Sequence, residues 1–207
     1  MEIELKYSIA DSDTADRISK DAGLQKLEEK DSRDAEELCG RYYDTVDLIL
    51  QKNDVAFRMR REGKKLVATM KWNGETSGAL HSREELNINL GDCDNLDPQP
   101  EVFAESEEGR RMLDLIGERT LHCIMEVNVL RRSFRVDTGK SLVEISIDQG
   151  EIITSKGTEP VCELELELFG GEEEDMLKLG DHLAQEYALE MGTISKFARG
   201  LKLLKVI

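Results

Sequence analysis

The sequence lacks closely spaced cysteines and long apolar runs. Its four cysteines stand far apart, at positions 39, 93, 123 and 162, and none belongs to a Cys-x-x-Cys pair. This spacing excludes a dense disulfide framework and favours reduced thiols. No uninterrupted apolar run is long enough to span a bilayer, and the chain begins with alternating charges instead of a basic-then-apolar leader. We therefore expect a soluble, cytoplasmic protein with no membrane partner.

Positive charge is also scarce. The 207 residues include 28 Lys and Arg against 44 Asp and Glu, so the formal net charge is -16. A protein that binds nucleic acid by neutralising phosphates is normally basic, and this composition argues against nucleic acid as a partner. A small anion can still bind where basic residues converge locally. The length is sufficient for a single domain with a substantial core.

Short alternating segments dominate the chain and predict an α+β protein. Helices are expected where the apolar period is helical, over 11–23, 106–116, 172–188 and 194–206. A loop is expected over 91–101, and Gly63-Lys64 is expected to form a tight hairpin turn. Together these elements predict a large antiparallel sheet or barrel with helices outside. The predicted strands cover 1–9, 36–44, 55–61, 64–71, 80–90, 121–136, 141–148 and 159–168.

The first strand carries charge on one face. Because side chains alternate along a strand, Glu2, Glu4 and Lys6 share one side while Ile3 and Leu5 point into a core. An ordinary amphipathic edge strand with its polar face in water would show the same pattern.

A second strand carries acidic side chains alone on one face. Glu163, Glu165 and Glu167 alternate with apolar residues and lie about 7 Å apart. They repel one another unless water, basic groups or a cation compensates them. A solvated strand face and a metal site are both consistent with this pattern. Carboxylate oxygens suit a hard divalent cation such as Mg²⁺ or Mn²⁺, and the Cys/His pattern expected for zinc is missing.

Basic residues follow the same period of two in other strands. Each could be a solvated surface charge when considered singly. Arg131 and Arg132 are adjacent, so only one of them can share the face of Val127 and Val129. If these residues face one interior together with the acidic strands, they would bind a polyanion through guanidinium groups while metal ions bridge carboxylates and phosphates. The remaining members of this set are Arg58, Arg60, Lys71 and Arg83.

Several longer blocks carry a family resemblance over essentially the whole chain. The chain resembles a CYTH domain of the triphosphate tunnel metalloenzyme superfamily, and is most similar to the bacterial inorganic triphosphatase branch. Glu2-Ile3-Glu4-Leu5-Lys6 matches the ExExK signature of that family. The other blocks are Tyr42 to Thr45, Phe57 to Arg60, Thr69 to Lys71, Ser77 to Arg83, Ile147 to Gly150, Glu159 to Leu168 and Ser195 to Gly200.

This resemblance implies a closed antiparallel eight-stranded tunnel with charged side chains inside, helices packed outside and one domain over 1–207. It implies that Glu2, Glu4 and Lys6 form the catalytic group. The metal ligands would be Glu2, Glu4, Glu163 and Glu165, and the triphosphate would be held by Lys6, Arg58, Arg60, Lys71, Arg83, Arg131 and Lys196.

Some neighbouring charged residues have open roles. Glu85 and Glu167 could join the site. Asp148 could join it as well, or could cap a turn at Gln149-Gly150. Arg199 is expected to be a helix-exit charge, and Arg41 a charge on a strand surface.

The activity implied is hydrolysis of the terminal phosphoanhydride of a triphosphate, inorganic tripolyphosphate first, with Mg²⁺ or Mn²⁺. Three alternatives stay open on the same scaffold: a class IV adenylate cyclase, a thiamine or nucleoside triphosphatase, and a non-catalytic module that binds polyphosphate or nucleotides. A monomer and a homodimer are both compatible with a closed barrel.

Overall fold

The computed structural model describes residues 2–206, and its main element is a closed antiparallel barrel of eight strands. The strands follow the order β5-β4-β3-β2-β6-β7-β8-β1, and pairing of β1 with β5 closes the ring. A two-residue strand, β9 (Glu190–Met191), pairs with Tyr7 and Ser8 of β1, next to the residues that pair with β5. The α+β tunnel expected from the sequence is confirmed. The barrel strands are β1 Glu2–Ser8, β2 Asp34–Asp44, β3 Ala56–Glu62, β4 Lys65–Ser77, β5 Leu80–Asp92, β6 His122–Asp137, β7 Ser141–Thr154 and β8 Gly157–Gly171.

Within residues 2–206, five α-helices pack on the outside of the barrel. They are α1 Ser12–Ser19, α2 Ala22–Leu27, α3 Ile49–Lys52, α4 Glu107–Ile116 and α5 Glu173–Tyr187. A sixth, α6 Lys196–Leu203, lies at one end of the cavity, where Leu201 packs against Met125 and Ile152 on the inner faces of β6 and β7. A short 3₁₀ helix, Pro100–Phe103, precedes α4. No helix within residues 2–206 has both the length and the apolar character needed to cross a membrane.

The single helix expected over 11–23 is wrong, because the chain forms two helices there. Asp11 caps α1 by accepting a hydrogen bond from the Thr14 amide at 2.7 Å, and Asp21 caps α2 by accepting from the Leu24 amide at 2.7 Å. An aspartate cap satisfies amides that a new helix leaves free, so Asp21 begins a second helix. Gly23, the last residue of the helix expected over 11–23, therefore lies in the first turn of α2 and does not end a helix.

A turn at Gln149-Gly150, one of the two roles considered for Asp148, does not form, because β7 continues through these residues to Thr154. Gly150 lies opposite Val129, and a Cβ atom on it would stand 2.0 Å from the Asn128 carbonyl oxygen. A glycine at this position thus permits close approach of two backbones within the sheet. Asp148 is consequently a strand residue and does not cap a turn.

The apolar faces of the strands point outward, toward the helices. Ile145 and Leu164 pack with Ile18 of α1 and Met176 of α5. On another side Phe57 packs with Phe103 and Met112. Since alternate residues face opposite sides of a sheet, burying these outer faces turns the charged faces into the interior of the barrel. Most of the core therefore lies around the barrel, and the barrel encloses the charged residues.

Candidate functional site

The barrel encloses a cavity of about 500 Å³ with a strongly charged wall. All eight barrel strands contribute to this wall, together with the segment 193–198 at the start of α6. Of the site residues predicted from the sequence, only Glu163 is not part of it. The wall includes Glu2, Glu4, Lys6, Arg58, Arg60, Lys71, Arg83, Arg131, Glu165 and Lys196.

A row of three carboxylates crosses the sheet on the inner face. Glu144 of β7 pairs with Glu167 of β8, and Glu167 pairs in turn with Glu4 of β1. Residues directly opposite each other in an antiparallel pair have Cβ atoms about 5 Å apart, and like charges there repel. Burial, reinforced by Glu2, Glu4 and Glu144, raises the pKa of Glu167 from 4.5 to about 7. This group, the acidic row, therefore holds more negative charge than its surroundings compensate.

Glu2 and Glu85 lie beside the acidic row and share one lysine. The Lys71 ammonium lies 2.7 Å from Glu2 Oε2 and also contacts Glu85 Oε2. Burial raises the pKa of Glu85, but Lys71 and Arg58 outweigh it and lower that pKa to about 2. Burial, together with Glu4 and Glu85, raises the pKa of Glu2 despite Lys71. One ammonium thus neutralises Glu85 well and leaves Glu2 partly uncompensated.

A dense ion-pair network occupies the part of the wall next to α6. Glu165 accepts from Lys6 and Lys196 at Oε1, both at 2.8 Å, and from Arg131 at Oε2, at 2.6 Å. Arg131 also binds Asp148 through two bonds of 2.7 Å. Burial raises the pKa of Glu165, but Lys196, Lys6 and Arg131 outweigh it and hold that pKa well below its usual range. Glu165 is therefore ionised and fully paired in this structure.

Glu163 lies at the outer end of this network. One of its oxygens, Oε2, lies 2.6 Å from the Lys196 ammonium, and the other contacts Arg199. Both Glu163 and Glu165, which the sequence predicts as metal ligands, have each carboxylate oxygen in contact with a basic side chain. The structure brings neither of them into the acidic row with Glu4, and that row contains Glu167 instead.

A group of arginines faces the cavity with little negative charge nearby. Arg58 hydrogen-bonds Thr69 Oγ1 at 3.2 Å and lies 5.8 Å above the Tyr42 ring, while its Nε atom has no partner. Within the described part of the chain, Arg58 pairs with no carboxylate. Burial, then Arg58, lowers the pKa of Arg60, and Arg131 lowers it further although Glu62 opposes them. Arg60 has Glu62 as its carboxylate partner, with Nε donating to Glu62 Oε1 at 2.7 Å. Arg58 and Arg60 therefore form an undercompensated cationic group, the arginine group, whereas Arg131 is paired with Asp148 and Glu165.

Arg83 stands apart from the arginine group. Its Nη2 atom lies 3.4 Å from Asp54 Oδ1, and its guanidinium rests on Gly74, where a Cβ atom would approach it to 2.4 Å. In the pairing of β1 with β5 that closes the barrel, Arg83 lies opposite Glu2. It is therefore a cavity residue near the acidic row rather than part of the arginine group.

The structure also settles which neighbouring residues face the cavity. Arg131 points inward, whereas Arg132 points outward and contacts Asp16 at 2.7 Å. Arg41 pairs with Glu126 on the barrel surface, as expected. Sequence reasoning missed Glu144, although Glu144-Ile145-Ser146-Ile147-Asp148 alternates in the same way as the acidic strand that was singled out. That alternation was a sufficient signal for it.

The acidic row fits a divalent cation by its chemistry. Carboxylates are the ligands that Mg²⁺ and Mn²⁺ prefer, and a cation would offset the burial and the repulsion that raise the pKa of Glu167. Within residues 2–206, no three Asp, Glu, His or Cys side chains are already arranged as metal ligands. Glu2 and Glu4 instead contact the ammonium groups of Lys71 and Lys6, each at 2.7 Å. Ligation would require these carboxylates to exchange an ammonium for the cation.

Comparison with known proteins gives consistent relatives. An inorganic triphosphatase of Haemophilus influenzae is 30% identical over 163 residues, 79% of this chain and 45% of that protein, so the chain spans less than half the length of this curated relative. Of the solved structures, a candidate adenylyl cyclase from Hippeastrum with a dominant triphosphatase activity has a TM-score of 0.70 at 22% identity, covering 98% of this chain and 96% of that chain. A candidate adenylate cyclase from Bacillus halodurans has a TM-score of 0.58 at 19% identity over 96% of each chain. Both of these structures have the same fold as this chain.

The family assignment rests on the sequence itself. The model of the CYTH domain family matches residues 1–201. The match covers every barrel strand and most of α6, which are the elements that form the cavity wall. The chain belongs to the CYTH domain family.

Proposed function

We propose that this protein hydrolyses the terminal phosphoanhydride of a triphosphate in the barrel cavity, with inorganic tripolyphosphate as its first substrate. The cation would be Mg²⁺ or Mn²⁺, held by Glu2, Glu4 and Glu167. Glu167 takes the place of Glu163 and Glu165 in this proposal because the oxygens of those two carboxylates already contact basic side chains.

One observation carries the proposal: two opposite charge excesses line a single cavity. Burial and the surrounding carboxylates raise the pKa of Glu167 to about 7, and burial together with Arg58 lowers the pKa of Arg60. A ligand that relieves both must carry a divalent cation at one end and several anionic oxygens at the other. A metal complex of a triphosphate has this charge distribution.

The residues of the cavity have separable roles in such a reaction. Arg58, Arg60 and Arg131 would bind phosphate oxygens and stabilise charge that develops on the leaving pyrophosphate. Lys6 and Lys196 would bind further phosphate oxygens and fix the chain of phosphates along the cavity. When bound, a divalent cation supplies Lewis-acid polarisation and an activated nucleophile. Phosphoryl transfer needs mainly positioning and charge stabilisation, which such a wall provides.

The comparison with the Haemophilus influenzae protein supports the choice of substrate class, because that relative is an inorganic triphosphatase. The wall supports it as well, since most of its members are charged or polar. Inorganic tripolyphosphate carries no organic group, so all of its anionic oxygens can bind the basic and polar members of such a wall.

The test measures phosphate release from tripolyphosphate, ATP and thiamine triphosphate, with Mg²⁺ or Mn²⁺, and follows cyclic AMP in parallel. We expect metal-dependent release of one phosphate from tripolyphosphate, with less from the two organic triphosphates. Formation of cyclic AMP would refute the hydrolytic assignment. Binding of tripolyphosphate without any release would identify a binding module instead.

A pair of matched variants locates the reaction. Glu4→Gln should abolish metal-dependent release, whereas Glu126→Gln, on the outer face of β6, should retain it. If Glu4→Gln keeps most of the wild-type activity, the cation does not act at the acidic row.

A further inference from the structure

Arg199 makes a set of contacts that have no role in the proposed reaction as described so far. Its guanidinium contacts three groups of β8: Glu159 Oε1 at 2.6 Å, the Pro160 carbonyl at 2.5 Å and the Oε1 atom of Glu163. The side chain is 16% exposed. A helix-exit charge would extend into water, so that expectation for Arg199 is wrong.

Glu163 connects Arg199 to the cavity. Its Oε2 atom lies 2.6 Å from the Lys196 ammonium, and its side chain is 7% exposed. Arg199 and Glu163 do not belong to the cavity wall among the described residues, whereas Lys196 does. Arg199 therefore reaches the cavity only through another side chain.

Lys196 needs such support for two physical reasons. It is the first residue of α6, directly after the Ser195 cap, where the helix dipole disfavours a positive charge. Its side chain is also a flexible four-carbon stem, and the ammonium loses rotamer freedom when it is held in one place. Three carboxylates offset both costs, namely Asp148 at 2.9 Å, Glu165 at 2.8 Å and Glu163 at 2.6 Å. Asp148 and Glu165 are fixed by Arg131, and Glu163 is fixed by Arg199.

We propose that Arg199 is a positioning residue that acts through Glu163 to hold the Lys196 ammonium where it binds the phosphate chain. Arg199 fixes one Glu163 oxygen against β8, which aims the other at Lys196. Without Arg199, the buried Glu163 carboxylate would lose its second partner and shift toward the remaining cation, moving the ammonium away from the phosphates. This inference rests on the proposed function, because it assigns Lys196 to the substrate.

The experiment measures kcat and KM for tripolyphosphate in Arg199→Gln, Arg199→Lys and Lys196→Ala, and in Arg199→Gln combined with Lys196→Ala. Arg199→Gln should lower kcat/KM by about 10- to 100-fold, as loss of a residue that orients a binding group typically does. The loss should divide between KM and kcat in the same proportion as in Lys196→Ala. Arg199→Lys should lie between Arg199→Gln and the wild type, because one ammonium cannot hold all three groups. Lys202→Gln removes an exposed cation from the same helix and should change kcat/KM by less than about twofold.

The combined variant separates positioning from a general structural role. When Lys196 is already absent, Arg199→Gln should change kcat/KM by less than about twofold, because the two positions act as one unit. Independent, multiplicative losses would overturn the proposal, and so would wild-type kcat/KM in Arg199→Gln. Melting temperatures are measured in parallel, and if Arg199→Gln does not fold, Arg199→Lys serves in both backgrounds.

Failure of the proposed function can be distinguished from failure of the positioning role of Arg199. If the wild type releases no phosphate from tripolyphosphate, the same variants are compared by calorimetric titration with tripolyphosphate alone. Weakened binding in Arg199→Gln that disappears in the Lys196→Ala background supports the positioning role. Equal affinities in the wild type and Arg199→Gln overturn it.

Discussion

Replacing Glu167 with Gln should stabilise the metal-free protein at alkaline pH and abolish its metal-dependent activity. The folded protein raises the pKa of Glu167 from 4.5 to about 7. The folded state therefore binds this proton more tightly than the unfolded chain. The group contributes stability that is fully present below about pH 4.5 and is lost as pH rises through about 7. Gln resembles the protonated acid in shape and charge, so the variant avoids that loss.

The magnitude follows from the size of the pKa difference. A tenfold change in proton affinity corresponds to about 1.4 kcal/mol, so the change from 4.5 to about 7 sets an upper limit of about 3 kcal/mol. Partial solvent access to the carboxyl reduces the expected difference to about 1–2 kcal/mol. We expect Glu167→Gln to exceed the wild type by that amount in free energy of unfolding at about pH 8.5, and to match it at about pH 4.

Urea denaturation in the presence of EDTA measures this difference at each pH. Glu126→Gln, on the outer face of β6, is the control for loss of a carboxylate that faces no acidic row. A Glu167→Gln variant less stable than the wild type at alkaline pH, or a difference independent of pH, would refute the charge repulsion inferred for the acidic row. Retention of metal-dependent phosphate release would refute the role of Glu167 as a ligand.

Three further predictions test other parts of the site and the fold. Arg60→Gln should weaken tripolyphosphate binding by about 10- to 100-fold, since a hydrogen bond to a charged group contributes about 1.5–3 kcal/mol; an unchanged affinity in calorimetric titration would exclude Arg60 from the phosphate site. Saturating Mg²⁺ or Mn²⁺, at about 100 times its dissociation constant, should raise the free energy of unfolding by about 2.7 kcal/mol, and EDTA should reverse this gain and stop phosphate release without changing the circular dichroism spectrum. A melting temperature insensitive to both cations would contradict cation binding at the acidic row. Gly150→Ala should destabilise the barrel by about 1–3 kcal/mol, because its Cβ atom would stand 2.0 Å from the Asn128 carbonyl oxygen; a urea midpoint within error of the wild type would show that β6 and β7 can separate there.

The gain in stability expected for Glu167→Gln illustrates what the charged interior costs this fold. Carboxylates placed in a row repel, and a protein selected for stability alone would space them apart or pair them all. Here Glu165 is fully paired, whereas Glu167 is not. An uncompensated carboxylate next to compensated ones is typical of a site that acquires its partner from solution.

Much of the fold follows from local patterns. The alternation in Glu2 to Lys6 and in Glu163 to Leu168 identified two strands with a charged face, and the helix predicted over 106–116 corresponds to α4. Prediction failed at two places, once because of a tertiary contact and once because of a local cap. Gly150 resembles a turn residue in sequence, but close approach of β6 explains it. The division between α1 and α2 depends on the Asp21 cap, which a continuous helical period conceals.

Sequence patterns were sufficient to predict the α+β fold class, and ten of the eleven predicted site residues line the cavity. For the strand residues among them, the period of two already places the charges on one face. Which of those charges meet depends on the tertiary structure. Strand register places Glu167 between Glu4 and Glu144, and it places Glu165 among Lys6, Arg131 and Lys196. These two glutamates are two residues apart and look alike in the sequence, yet one is uncompensated and the other fully paired. The difference depends on partners from distant strands and from α6, which no local pattern specifies.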